Sequence, residues 1–343
     1  MKTNIGVMWS NGEPGETESR ATVVPGVFFR GTRHRQRQAR IVHDGVLMNN
    51  FVRSITVLAA GAAAGTLGAQ SARLSVIPPR PAPGAVVRVV ATAPANDSVV
   101  AISGAMTGEP LHFHRAASGR YEAIGGVSVD SSSVAAEAVL TLASGRIDTL
   151  RANIALPPLP PPKEQLAVAP RFGQPLDSAL EARVAREVEI AHEIGRRSHE
   201  RPRLWSAPFM RPRSTAITSR FGAGRTFNGT VSSRHLGVDL RGTMGAPVRA
   251  ANRGIVAAVD TFYLGGRIVY IDHGEGVVTA YMHLSRALVS VGDTVARGQR
   301  IGLVGATGRV TGPHLHWAAR YGELTVNPMD LLRLTSFKTA MKR

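Results

Sequence analysis

The 343-residue sequence contains no cysteine, few aromatic residues and fewer acidic than basic residues. Without cysteine there can be no disulfides, thiolate metal ligands or cysteine nucleophiles, so a metal site would have to use His, Asp or Glu. Aromatic residues make up only 5%, and no basic stripe has interleaved stacking residues, which argues against nucleic acid as a partner. The net charge of +17 favours attraction to other polyanions.

The chain also lacks a hydrophobic run suited to a permanent membrane span. The apolar stretch at 55–69 is shorter than the roughly 18–20 residues that a span needs. It begins after Met48 and Arg53 and ends in small residues, which is typical of a secretory signal peptide. A buried Ala-rich helix is the alternative, but each of its glycines would cost about 1 kcal/mol relative to Ala.

We therefore predict a signal peptide at 48–69 and an exported protein, with no permanent membrane span after cleavage. Residues 1–47 precede this signal and show no sustained periodicity. We expect them to be an untranslated or disordered extension, with Met48 as the natural start.

Residues 73–156 are predicted to form an immunoglobulin-like β-sandwich. Short runs of β-branched and small apolar residues alternate there with Gly, Pro, Asn and Ser. The predicted strands include 85–91, 98–102, 121–129 and 134–142. His112 and His114 form a His-x-His pair that would share one face of a strand. Because no third ligand is evident nearby, we expect no metal there.

Residues 157–203 are predicted to be a proline-rich linker followed by an amphipathic helix. The prolines at 157–162 favour an extended, semi-rigid chain. Ser178 and Glu181 form a capping box, and apolar residues recur at helical spacing from there to about Gly195.

Residues 204–334 are predicted to form a second all-β domain, followed by a basic tail at 335–343. Short strands separated by glycine are expected at 246–250, 254–260, 267–273, 276–283, 300–304 and 314–320. The predicted fold class is therefore mainly β, with two β domains joined by one linker helix.

Three short motifs in this second domain contain residues suited to metal chemistry. His235 and Asp239 stand four apart on a segment that we interpret as a strand, so both would face the same way. His314 and His316 stand two apart at the start of another strand, and His283 ends a third. Each motif alone is weak, because an isolated His-x-His in a β protein is usually structural or exposed. Their occurrence together in one domain is more informative.

In order, several segments resemble the lysostaphin-type (LytM-like) zinc endopeptidases, which are peptidoglycan hydrolases. The resemblance covers about 204–333, and the upstream sandwich and helix are similar to the layout of envelope-located Gram-negative members. It rests on SRFG at 219–222, NG at 228–229, HLGVDL at 235–240, GAPVRA at 245–250, HG at 273–274, YMHLS at 281–285 and GPHLHW at 312–317.

The resemblance implies one zinc ion per chain, bound by His235, Asp239 and His316. A fourth position left open is what distinguishes catalytic from structural zinc. His283 and His314 match the catalytic pair of the family. Two further residues are candidates for the substrate cleft, Asn228 by analogy and His273 by position, although His273 is more readily explained as a strand-end residue that packs or hydrogen-bonds near the site.

The implied activity is hydrolysis of peptide cross-links in peptidoglycan, of D,D-endopeptidase type, in the periplasm or cell envelope or outside the cell. Peptidoglycan stem peptides would be the main partner, and an envelope regulatory protein is a further expected one. The alternative is a non-catalytic LytM-type regulator that binds or activates other wall hydrolases. A metal-binding β domain with an unrelated substrate is a third reading.

Overall fold

The computed structural model of the protein describes residues 71–117, 119–159 and 163–334. The predicted extension, signal peptide and basic tail lie outside these ranges. Within them the chain is mainly β, as predicted, with 21 strands, two α-helices and one 3-10 helix. None of the helices in these ranges is long and apolar enough to cross a membrane.

The N-terminal part consists of two four-stranded antiparallel sheets, ordered β1-β2-β6-β5 and β4-β3-β7-β8. Their strands are β1 (Arg73–Ile77), β2 (Val86–Thr92), β3 (Val99–Met106), β4 (Glu109–Pro110), β5 (His114–Ala117), β6 (Arg120–Gly126), β7 (Ser133–Leu142) and β8 (Ile147–Ala155). Buried residues of both sheets share one core, including Val87, Val89, Met106 and Ala136.

The alternation of side chains explains this packing. In β7 every second residue from Val134 to Leu142 is buried, so one face of the strand lies against the opposite sheet. Four of the eight strands in this region lie close to predicted ones. The short strands β4 and β5 have no alternating apolar pattern that would have indicated them. The immunoglobulin-like topology remains a prediction.

The linker region forms β9 (Glu164–Leu166), the 3-10 helix Pro170–Phe172 and α1 (Ser178–Glu200). The predicted cap was wrong by one residue, since the Asp177 carboxylate accepts the first-turn hydrogen bond, from Leu180 N at 2.8 Å. The helix also continues past Gly195. A Cβ at Gly195 would stand 1.9 Å from the Gly322 carbonyl oxygen, so this glycine allows close packing on the sheet and does not end the helix.

The C-terminal part is a ten-stranded antiparallel sheet, in which seven strands follow the order β10-β13-β20-β17-β16-β15-β18. In addition β14 pairs with β19, β19 with β17, and β21 with β20, and a separate three-stranded sheet has the order β12-β11-β9. The elements are β10 (Ile217–Ser219), β11 (Gly224–Phe227), β12 (Val231–Arg234), β13 (Val238–Arg241), β14 (Pro247–Arg249), β15 (Gly254–Phe262), β16 (Gly266–Asp272), β17 (Val277–Ala287), β18 (Thr294–Val295), β19 (Arg300–Val304), β20 (His314–Tyr321), β21 (Leu324–Val326) and α2 (Pro328–Leu331).

The two β regions are in direct contact. Val86 and Ile124 of the first pack in the same buried cluster as Trp317 and Tyr321 of the second. The Tyr321 hydroxyl also donates to the Pro110 carbonyl at 2.5 Å. The first β region therefore packs against β20, the strand that also contains His314 and His316.

Candidate metal centre and its surroundings

Two of the predicted ligands are placed by strand register. Asp239 on β13 lies directly opposite His316 on the neighbouring strand β20. Because opposite residues of an antiparallel pair project to the same face, their side chains meet. His314 is two residues before His316 on β20 and therefore projects to that face as well.

The third ligand, His235, does not lie on a strand, contrary to our expectation for this segment. It follows β12 and precedes β13, in a connection that contains Gly237. A Cβ at Gly237 would stand 2.5 Å from His316 Nε2, so only glycine lets the connection pass so close to this ring. The turn, rather than an extended strand, brings His235 to Asp239.

Three donor atoms converge on one point, those of His235, Asp239 and His316. His235 Nε2 lies 3.0 Å from Asp239 Oδ1 and 2.9 Å from His316 Nδ1, and His316 Nδ1 lies 3.0 Å from Asp239 Oδ1. With zinc–nitrogen and zinc–oxygen bonds of about 2.0–2.1 Å, the edge of a tetrahedral site is about 3.3 Å. The spacing and the donor types fit zinc.

The tautomer of His235 supports this fit. Its Nδ1 donates to the Arg220 carbonyl at 2.9 Å, so Nε2 of the neutral ring is an acceptor. The contact between Nε2 and Asp239 Oδ1 then brings two acceptors together. A bound cation would satisfy both atoms and the His316 nitrogen at once.

The electrostatic environment keeps the ligand atoms available to a metal. Burial alone would raise the pKa of Asp239, but the adjacent His235 and His316 hold it well below its usual range. Burial lowers the pKa of His316 to about 4, although its hydrogen bond with Asp239 acts in the opposite direction. At neutral pH the site therefore offers a carboxylate and a neutral imidazole.

A second group of polar residues forms hydrogen bonds and close contacts with the proposed ligands. Arg225 donates from Nη2 to Asp239 Oδ2 at 2.5 Å and from Nε to Glu164 Oε2 at 2.8 Å. The Ser219 hydroxyl contacts Glu164 at 2.7 Å and lies 3.2 Å from His235 Nδ1. Glu164, on the linker strand β9, is thus connected to two of the three ligands through one intermediate residue each.

The position of His283 depends on a bulge in β17. Met282 and His283 lie opposite a single residue of β16, Ile268, and His283 has φ of 63°. Such a conformation costs a non-glycine residue of order 1–3 kcal/mol and is typical of functional sites. It turns the ring toward His314 and His316, with ring centroids 4.9 and 5.8 Å away.

His283 and His314 are held in the same tautomer by backbone carbonyls. His283 Nδ1 donates to Thr307 O, and His314 Nδ1 donates to Gly312 O, each at 2.8 Å. In both neutral rings Nε2 is then an acceptor. His314 Nε2 lies 3.5 Å from Asp239 Oδ1. Burial, followed by the neighbouring His316 and His314, lowers the pKa of His283 well below its usual value.

The structure brings together five of the seven candidate residues. His273 is fully buried, with Nδ1 2.8 Å from Arg253 O and Nε2 2.8 Å from the Thr279 hydroxyl. It makes no direct contact with the ligand group. Asn228 is exposed in the turn between β11 and β12, where its side chain exchanges two hydrogen bonds with the Val168 backbone.

Three supporting residues were not assigned a role from the sequence: Glu164, Arg225 and Thr307. Ser219 belonged to a motif used for the resemblance, but nothing in the sequence indicated its contact with His235. Glu164 lies 61 residues from Arg225 along the chain, and no local pattern indicates that pairing. Thr307 binds His283 through its backbone carbonyl, and every residue type has one, so the sequence cannot indicate this contact.

Comparison with known proteins agrees with this geometry. Residues 233–328 match the profile of peptidase family M23. The peptidoglycan DD-endopeptidase ShyA of Vibrio cholerae is 45% identical over 95 residues, which are 28% of this chain and 22% of ShyA. The DD-carboxypeptidase/endopeptidase Mpg of Neisseria meningitidis serogroup B is 42% identical over 97 residues, again 28% of this chain and 22% of the relative.

The aligned residues thus span about a fifth of the length of these relatives. A crystal structure of a Pseudomonas aeruginosa protein described as a peptidase M23 has a TM-score of 0.54 and 22% identity, and covers 74% of this chain and 95% of its own. At that identity the likeness concerns the fold alone. Together, the profile match and the geometry around Asp239 identify residues 233–328 as a domain of peptidase family M23.

Proposed function

We propose that the protein is a zinc-dependent endopeptidase that hydrolyses peptide cross-links of peptidoglycan. The observation that carries this proposal is the geometry of five side chains. Three donor atoms lie 2.9–3.0 Å apart, and two further histidines beside them have Nε2 atoms that can accept a proton. The residue types match a catalytic zinc site with an open position.

His235, Asp239 and His316 would hold the zinc ion through Nε2, Oδ1 and Nδ1. The chemistry that zinc supplies in such a site is polarisation of the scissile carbonyl and acidification of a water molecule. Arg225 fixes the orientation of the Asp239 carboxylate by binding its other oxygen. Such outer partners orient ligands and commonly change metal affinity by about 10–100-fold.

His283 and His314 would move the protons of the reaction. Each ring has its Nδ1–H committed to a backbone carbonyl, so the proton is taken up or given at Nε2. A neutral Nε2 can accept the proton of the attacking water, and a protonated one can donate to the oxyanion or the leaving amine. The fixed tautomers prepare both rings for these steps before substrate binds.

Peptidoglycan as the substrate is supported by the relatives, since ShyA and Mpg are named for DD-endopeptidase activity. The net charge of +17 would also favour an acidic wall polymer. We therefore propose D,D-cross-links as the target and the cell envelope as the location. The signal peptide at 48–69 would supply the export that this location needs.

The decisive experiment compares wild type with His283→Asn on purified peptidoglycan, with release of new amino termini as the readout. Asn tolerates positive φ and can still donate to Thr307 O, but it has no base at the position of Nε2. We expect the rate to fall by about 10²–10⁴-fold while zinc content stays at that of wild type.

Arg300→Gln is the matched control, because Arg300 is exposed on β19 and its loss changes the charge without altering the site. It should retain full activity. Equal rates for wild type and His283→Asn would contradict the proposed mechanism. No release by wild type, despite bound zinc, would favour the non-catalytic regulator.

A further inference from the structure

In the part of the chain that the structure describes, one arginine beside the proposed active site has no hydrogen-bond acceptor for its guanidinium. Arg309 lies in the connection between β19 and β20, at residues 305–313. Thr307, two residues earlier, holds His283, and Gly312, three residues later, holds His314. The backbone of Arg309 is therefore fixed between the two carbonyls that orient the catalytic histidines.

The guanidinium of Arg309 stacks on an aromatic ring. Its Cζ lies 4.0 Å from the ring centroid of Phe227, which is itself buried. Across the described ranges, no carboxylate pairs with this guanidinium and no carbonyl accepts from it; the backbone N–H alone is bonded, to Leu264 O. The stacked plane leaves its N–H edge available to a ligand.

The location of Phe227 connects this arginine to the metal ligands. Phe227 and Arg225 stand two apart on β11, about 7 Å between their α-carbons and on the same face of the strand. Arg225 reaches Asp239 from that face. Arg309 therefore contacts Phe227, which is two residues along β11 from Arg225, the residue that binds the proposed ligand Asp239.

The charges around Arg309 favour an anionic ligand. Burial lowers its pKa to about 10, and the positive charge of Arg225 acts in the same direction. A partly buried cation beside a second cation is unfavourable unless an anion joins them. Arg225 is already paired with Asp239 and Glu164, whereas the Arg309 guanidinium has no such ion pair among the described residues and can bind an anion.

We propose that Arg309 binds a free carboxylate of the stem peptide next to the scissile bond, and so makes the enzyme prefer carboxylate-bearing cross-links to amidated ones. This inference rests on the proposed function. Stem peptides contain free carboxylates, and the planar fork of arginine matches a carboxylate with two parallel hydrogen bonds. An amide offers one acceptor oxygen and no charge, so it would bind less well.

The test uses two synthetic cross-linked stem-peptide dimers that differ only in the carboxylates beside the cross-link, free in one and primary amides in the other. We expect wild type to cleave the free form with a kcat/KM about tenfold higher or more. Arg309→Gln should lose about tenfold on the free form and little on the amidated form. Arg309→Lys should fall between, because it keeps the charge without the fork.

Arg300→Gln is again the control for charge and should keep the wild-type preference. Thermal unfolding of each variant detects damage from the lost stacking on Phe227, and such damage would lower the rate on both dimers equally. An equal loss on both dimers, or no preference in wild type, would overturn the inference while leaving the endopeptidase intact.

A binding arm separates this inference from the proposed function. Affinity of the same two dimers for zinc-loaded His283→Asn is measured by calorimetry. If no dimer is cleaved by wild type but the free form still binds about tenfold more tightly, the endopeptidase proposal fails and the carboxylate site stands. If both dimers are cleaved but bind equally, the carboxylate site fails.

Discussion

The His-x-His pattern occurs twice in this chain, and the two copies have different surroundings. His314 and His316 begin the central strand β20, beside Asp239 on β13. His112 precedes the short strand β5, and His114 is its first residue. The first pair meets a carboxylate of its own sheet, whereas the second pair meets residues from a different part of the molecule.

The partners of the second pair come from the other β region and the linker helix. His112 Nε2 lies 2.9 Å from His199 Nδ1 on α1, and His114 Nε2 lies 2.7 Å from Glu275 Oε1. Glu275 also accepts from Arg203, at 2.8 Å. Its carboxylate is therefore occupied, and the two histidines point to different partners instead of one shared point.

His199, in the last turn of α1, extends this contact. Its Nε2 lies 3.0 Å from Glu109 Oε2, on the far side of the ring from His112. The comparison teaches that spacing alone does not make a metal site. Among the described residues, only His316 of the β20 pair belongs to a group of three candidate ligands, with Asp239 and His235.

The largest predicted effect is a difference in zinc affinity when one histidine of each His-x-His pair is replaced by alanine. His316→Ala removes one of three proposed ligands, so we expect zinc affinity to fall by more than about 100-fold, because loss of residues outside the ligand set already costs about 10–100-fold. His114→Ala should keep wild-type zinc affinity. Zinc content after dialysis against a graded chelator measures both. Equal zinc retention by His316→Ala and wild type would remove the basis of the comparison.

We expect a smaller effect on zinc affinity when a carboxylate near the metal centre, Glu164, is replaced than when a ligand is removed. Glu164→Gln removes the negative charge that binds Arg225 and Ser219. These two residues in turn contact Asp239 and His235. We expect about tenfold weaker zinc binding, because these outer contacts orient the ligands. Zinc titration of the metal-free protein gives the affinity.

Glu137→Gln is the control, since Glu137 forms an exposed ion pair with Arg151 on the N-terminal sandwich. It should leave zinc affinity unchanged. If Glu164→Gln binds zinc as tightly as this control, the linker strand does not support the metal centre.

Some of this site could be predicted from the sequence, and physical reasons account for the rest. The spacing of His314 and His316 indicated that both face the same way, and both lie on β20. That Asp239 lies opposite His316 depends on the register of β13 and β20, which the sequence did not specify. The position of His235 was wrong because a glycine-containing turn replaces the expected strand before β13. The sequence shows Gly237, but its close approach to the His316 ring depends on tertiary packing, which the sequence pattern does not indicate.

The bulge at His283 and the contacts of Glu164 could not be predicted for a different reason. A bulge is defined by pairing with another strand, and the sequence of β17 does not specify where β16 has one residue fewer. Glu164 belongs to a short linker strand that pairs in parallel with β11, far along the chain. Such pairings are nonlocal, so local periodicity carries no information about them.

The smallest predicted effect concerns pH and the second histidine pair. Burial lowers the pKa of His112; Glu275 raises it, whereas His199, His114 and Arg203 lower it. Because the pKa of His112 is lower in the folded protein than the usual 6.5, His112 binds more protons in the unfolded chain than in the folded protein once the pH approaches 6.5 from above. Stability is lost as pH falls from about 7 toward 5, so the melting temperature of wild type should drop by a few °C more than that of His112→Gln.

The difference between the two proteins isolates His112 from other buried histidines. Burial lowers the pKa of His273 to about 4, and this residue destabilises both proteins equally on acidification, so its effect cancels. Melting temperatures at pH 7.5 and pH 5 for wild type and His112→Gln give the double difference. A gap that is the same at both pH values would mean that His112 does not titrate at the contact with His199. The His-x-His pair of the sandwich would then serve packing alone, which would make its contrast with the β20 pair sharper.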